Sequence, residues 1–214
     1  MKRTLIAALI AALVAPALTG CVAAVATGAT VGALAVVDRR TFGTQTEDEG
    51  IEWKILGQVM NKYGDRAHVN QTSFNRRVLL SGEVPDEQTK ADIEAYARGL
   101  PNVKQVWNEL RVAPPTGLQA RSNDAFITSK VKGRFVDAGK FRANLVKVVT
   151  EAGAVHLFGL VTRAEADAAI EIARTTSGVQ RVVNLMEIIS TEQARALDVP
   201  PPEPAGTQQP APVR

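Results

Sequence analysis

One cysteine, two histidines and an aromatic content of 5% are what this 214-residue sequence has least of. The lone cysteine, Cys21, excludes an internal disulfide, so the fold must hold by packing even in an oxidising compartment. His68 and His156 stand too far apart in the repeat described below to suggest a shared metal site, and neither a metal nor a cofactor is expected. No nucleophile–base spacing, glycine-rich phosphate loop or paired-carboxylate signature is present, which argues against an enzyme. So few aromatics point to small domains with cores of Val, Ile, Leu and Ala. Charge of one sign is scarce too. The chain has 25 Lys and Arg against 22 Asp and Glu. Lys2 and Arg3 belong to the leader considered next, and without them the balance is nearly even. Nucleic acid is therefore not an expected partner.

What is present begins with that leader. Lys2 and Arg3 precede an apolar stretch from Leu5 to Leu18, the order read by a secretion machinery. The stretch ends in Leu18-Thr19-Gly20-Cys21, which resembles the lipobox of bacterial lipoproteins. Small residues before the cut admit the backbone to a peptidase cleft, and the thiol accepts the diacylglycerol. Residues 1–20 are thus expected to be a signal peptide, Cys21 the lipidation site and residues 21–46 a lipidated tether. The competing reading is an uncleaved spanning helix, because no charge falls between Thr4 and Val37 and about 20 residues suffice to cross a bilayer. Pro16, Gly20, Gly28 and Gly32 interrupt that run. Acyl chains contribute roughly 0.8 kcal/mol per buried CH₂, so an acylated Cys21 holds a protein to a membrane without a span. Val22 and Ala23 stand where an aspartate favours inner-membrane retention. The expected location is the outer membrane, facing the periplasm.

Beyond the anchor the chain repeats itself. The block Asp48–Gly57 aligns with Asp124–Gly133, Val78–Val84 with Val155–Val161, and Ala97–Asn108 with Ala173–Asn184, at offsets of 76 or 77. Each copy reads as helix, strand, strand, helix, strand. In the second copy Ile127, Val131, Phe135 and Ala138 recur at helical spacing, with Asn123 or Asp124 as the expected N-cap. A hairpin follows, with a strand over 145–150, a turn at Glu151-Ala152-Gly153, and Val155, Leu157 and Gly159 on one face. His156, between them, is expected to point away from the core. A second helix over 163–177 carries Ala166, Ala169, Ile170 and Ala173, and the last strand runs over 182–189. In the first copy Ile93, Tyr96, Ala97 and Leu100 take the second helix's role. The expected fold class is α+β: two tandem αββαβ units, 47–113 and 123–190, each a three-stranded mixed sheet with both helices on one face. Units of about 65 residues are marginal alone, so mutual support is expected. Pro114 and Pro115 keep the linker 114–122 extended, and the proline-rich residues 191–214 read as a disordered tail.

The block Gly-x-Val, then a helix, then Gly-Val-x-x-Val-x-Asn resembles the BON domain. It is present in Gly159, Val161, Gly178, Val179, Val182 and Asn184, and more loosely in Gly82, Val84, Val103, Val106 and Asn108. With the lipobox and the segment Asp38–Gln45, the whole resembles dual-BON outer-membrane lipoproteins. The resemblance implies a non-enzymatic role in outer-membrane integrity. It also implies that the first helix of the second domain binds an anionic phospholipid membrane, with an aromatic residue dipping into the bilayer; Phe126 matches that position.

The residues themselves are compatible with this. Lys130, Lys132 and Arg134 cluster on that helix, each basic group near an anionic surface contributing about 1 kcal/mol, and Phe126 shares a face with Lys130. The equivalent helix of the first domain sets Trp53, Lys54 and Lys62 among Glu47, Asp48, Glu49 and Glu52, which suits an anionic membrane less well. The rival reading makes the protein an adaptor docking on envelope machinery, either the outer-membrane protein assembly complex or a cell-wall amidase system. Oligomeric state is not legible.

Overall fold

The computed structural model describes residues 38–198. The leader, Cys21 and the stretch 199–214 lie outside those residues. Among the described residues no helix is long and apolar enough to cross a membrane.

Helix α1 (Phe42–Tyr63) opens the first domain, followed by β1 (His68–Phe74), β2 (Arg77–Val84), α2 (Glu87–Gly99) and β3 (Gln105–Val112). The second domain repeats the order in α3 (Leu118–Ala138), β4 (Lys147–Glu151), β5 (Ala154–Phe158), β6 (Leu160–Val161), α4 (Arg163–Arg174), β7 (Arg181–Asn184) and β8 (Glu187–Ile188), and α5 (Thr191–Leu197) closes the described chain. In each domain the hairpin is antiparallel and the last strand returns parallel to the hairpin's second strand. The expected last strand of the second domain is split: β7 pairs β5 and β8 pairs β6, in one register.

The motif residues explain themselves here. Gly82 holds a φ of +110°, and a Cβ there would meet the His68 carbonyl at 2.1 Å; at Gly159 it would meet the Leu145 carbonyl at 2.5 Å. The glycine of Gly-x-Val therefore lets the chain entering the hairpin's first strand pass close. Asn108 and Asn184 each accept a backbone N–H two residues on, from Leu110 and Met186. Gly178 and Asn102 both take positive φ ahead of the last strand, a conformation that glycine and asparagine tolerate best.

Three apolar clusters organise the described residues. Ile51, Ile55 and Val59 of α1 and Ile93 and Ala97 of α2 cover Val78, Leu80 and Val84 of β2. Ile127, Val131 and Phe135 of α3, with Ala166, Ala169 and Ala173 of α4, cover Val148, Val155 and Leu157. Ala138, expected on this face, is exposed. The third cluster joins Phe74, Leu79 and Trp107 of the first domain to Phe158, Leu160 and Leu185 of the second. It lies on the sheet faces that the helices leave free. The two sheets therefore pack back to back, and the helices form the outermost layers.

Several expected boundaries move. Within the stretch expected as a tether to residue 46, residues 38–46 belong to the fold, with α1 starting at Phe42. Thr41 caps α1 by accepting the Thr44 N–H, and Arg39 and Arg40 are built into the fold. The linker 114–122 is largely helical, because α3 starts at Leu118 behind Gly117 and not at an Asn123 or Asp124 cap. Gln119, Ala120 and Arg121 are good helix formers, so nothing stops the helix earlier. The tail expected from 191 is helical through Leu197. Ser190 and Gln193 form a reciprocal capping box, and Ala194 is buried.

Candidate functional site

Two regions carry functional chemistry: the outward face of α3, and the seam between the sheets. On α3 the buried stripe of Ile127, Val131 and Phe135 turns the opposite side to solvent. Leu118, Ser122, Ala125, Ser129 and Val136 recur there at helical spacing, and all are exposed. Phe126, beside them, is 61% exposed, so it does not pack against the first domain. The result is an outward strip without an acidic side chain along most of its length, a form suited to lying on a surface.

The basic residues expected with Phe126 divide into two kinds. Lys132 is exposed. Lys130 lies 4.8 Å from the centroid of the Phe126 ring and donates to the Ser177 carbonyl. Arg134 donates to the Ile172 carbonyl at 2.9 Å and to the hydroxyls of Thr176 and Thr175. Lys130 and Arg134 thus occupy the C-terminal end of α4, where cations satisfy orphan carbonyls and the helix dipole. The structure brings Phe126 and Lys130 together and turns Arg134 to a structural task. Sequence spacing placed all three basic groups on α3, but the end of α4 beneath two of them is a tertiary feature.

On the first domain α1 presents Phe42, Trp53 and Met60 along one outward face, with Trp53 70% exposed. Glu49 lies on that same helical face.

The seam has an apolar middle and a polar end. Phe158 stacks at 6.2 Å on Phe74 and at 6.3 Å, edge-on, on Trp107. Arg77 pairs with Glu187 at 2.9 Å, and Arg181 with Glu109 at 2.7 Å. At the polar end Asn70 donates to Glu151 at 2.6 Å. Glu83 accepts from the backbone and hydroxyl of Thr116, from Arg111, and meets His68 Nδ1 at 3.1 Å. Burial alone would raise the Glu83 carboxyl, but these donors outweigh it and bring it to about 2. Glu151 goes the other way, pushed up by burial. His156 does point away from its own domain's helices, as expected, but the first domain covers it. It is 1% exposed, and among the described residues its ring has no side-chain hydrogen-bond partner.

Sequence comparison places these features in a family setting. The family model described as the BON domain matches residues 48–114 and 123–190. The chain is 40% identical over 174 residues to the outer membrane lipoprotein DolP of Haemophilus influenzae, covering 80% of this chain and 90% of that one. It is 32% identical over 155 residues to a 21 kDa hemolysin of Actinobacillus pleuropneumoniae, covering 72% and 80%. Osmotically-inducible protein Y of Escherichia coli is 27% identical over 150 residues, covering 66% of this chain and 73% of that one.

Proposed function

Because the chain belongs to the BON-domain family, we propose that it is an outer-membrane lipoprotein, anchored through Cys21 and facing the periplasm, whose second domain lays α3 on anionic phospholipid to support envelope integrity. The observation that carries this is the outward strip of α3: Leu118, Phe126 and Val136 exposed, with Lys132 at its edge. Apolar side chains enter the acyl boundary while cations meet the headgroups. Lys130, stacked on Phe126, keeps its ammonium close to where a phosphate would lie. The acyl anchor raises the effective concentration of the domain at the bilayer, so weak contact suffices. The role is one of binding, and no reaction is assigned to it.

Co-sedimentation with vesicles rich in anionic lipid tests the reading. Phe126→Ala is expected to weaken binding about tenfold, from the lost apolar burial. Lys132→Glu is expected to weaken it by a similar factor or more, as a favourable charge becomes unfavourable. Arg134→Gln should act chiefly on stability. Unchanged binding in both of the first two variants would remove α3 from the lipid contact.

The α1 face favours a second reading, the adaptor for envelope machinery. With the sheets back to back, a bilayer beneath α3 leaves Phe42, Trp53 and Met60 directed away from it. Trp53→Ala should then preserve vesicle binding while impairing envelope function; loss of vesicle binding instead would assign α1 to lipid.

A further inference from the structure

At the polar end of the seam, His68 on β1, Glu83 on β2 and Glu151 on β4 bring one ligand atom each to within 4.8 Å of one another. We propose that these three side chains bind a divalent transition-metal ion, with zinc as the best match, and that the ion joins the two domains.

The donor set is the first argument. One imidazole nitrogen and two carboxylate oxygens suit zinc, at metal–ligand distances of about 2.0–2.2 Å. Side-chain rotation must close the remaining gap, and β1, β2 and β4 hold the three Cα atoms in place. His68 Nδ1 and Glu83 Oε2 already lie 3.1 Å apart, so an ion seated between them takes the Nδ1 lone pair once that nitrogen gives up its proton. His68 is part-exposed, which gives an ion a way in.

Charge is the second argument. Two carboxylates meet there, and Arg111 is the guanidinium bound to Glu83. Glu151 is buried, and among the described residues its side-chain hydrogen bond comes from neutral Asn70. A buried carboxylate without a cation is costly, and a metal ion removes that cost.

A third observation is independent of the cluster. His156 stands diagonally from Glu151 on the same sheet face, since Glu151 pairs Ala154 and Val149 pairs His156. It is almost wholly buried, its ring has no side-chain hydrogen-bond partner among the described residues, and with Glu151, Ser81 and Glu109 it lines a cavity of about 340 Å³. Kept neutral by burial, this imidazole lines the neighbouring cavity with Glu151, outside the group of three ligands. The ligands come from both copies of the repeat, yet neither copy repeats the other's ligand: Glu83 aligns with Leu160 and Glu151 with Phe74. For this reason the offset pattern alone does not reveal the site.

The test uses the untagged full chain in detergent, stripped with chelator and titrated with zinc by calorimetry. One ion per chain is expected, with a Kd on the order of 10 µM. His68→Gln and Glu151→Gln are expected to weaken it about 10- to 100-fold. Gln at 151 still accepts from Asn70, so that variant should fold, and circular dichroism in chelator checks that it does. Zinc should also raise the thermal midpoint of the parent but not of Glu151→Gln. No binding to the parent at millimolar zinc, or unaltered binding in both variants, would overturn the proposal. So would loss of binding in His156→Gln with none in His68→Gln, which would move the ion to the other cavity.

Discussion

Asp48 and Asp124 each lie within a helix, yet their partners are on a hairpin later in the chain. Asp124 accepts the N–H groups of Ala152 and Gly153 at 2.8 and 2.9 Å. Asp48 accepts those of Asn75 and Arg76 and the Ser73 hydroxyl, and pairs with Arg40. In both hairpins the two turn residues hold positive φ, the geometry of a tight type I′ turn. The carboxylate clamps that turn against the helix. Asp124→Ala should destabilise the protein by about 1.5–3 kcal/mol, the range for hydrogen bonds to a charged group. Asp48→Ala should cost more, about 2–4 kcal/mol, because the Ser73 hydrogen bond is lost as well and Arg40 keeps only Asp38. Urea denaturation measures both, and a change below about 0.5 kcal/mol in either would refute the clamp. The repeat made the pair of aspartates visible, but local pattern favours an N-cap for such a residue. Only the folded hairpin distinguishes a cap from a clamp.

Elements bounded by local chemistry were the legible ones. The Thr162 and Glu165 capping box starts α4, and the apolar stripes of α3 and α4 face the sheet as their periods require, Ala138 excepted. The elements missed were those fixed from afar. Arg39 is buried, donates to Glu165 at 2.8 Å and Asp198 at 2.9 Å, and reaches the Leu160 carbonyl. It thereby ties the start of the described chain to α4 and to the end of α5. Arg40, its neighbour, stacks on Phe74 at 4.1 Å and serves the first domain. Composition hides α5 because its partners are more than a hundred residues away and the prolines after it dominate the signal. Arg39→Ala is expected to lower stability by about 2 kcal/mol or more, since two carboxylates lose their shared cation. Amide exchange over residues 191–197 should accelerate well beyond the global change. Exchange there no faster than the global change predicts would mean that α5 is held by Ala194 and its own cap.

At the scale of the molecule the decisive surface is the seam, and the sequence carried one trace of it. Val78-Leu79-Leu80 is apolar on both alternations, as expected of a strand buried on both faces, whereas a sheet with one wet face alternates. On β5 the opposite face reads as His156 and Phe158, which alone does not reveal what covers it. The covering is Phe74, Leu79 and Trp107 from the other copy, with Asn70, Glu109 and Arg77 completing the rim. Domains of this size gain from such shared burial, so the two should unfold together. Phe158 is fully buried and belongs to the seam, not to either domain's own core. Phe158→Ala should therefore cost about 3–5 kcal/mol and do more than lower the midpoint. With the shared cluster emptied, calorimetry of the variant should resolve two transitions where the parent shows one. The cut should also separate α3 from the α1 face, leaving the proposed vesicle binding in place while the domains move independently. Two transitions already present in the parent, or a single one kept by the variant, would show that the domains do not depend on each other through this seam.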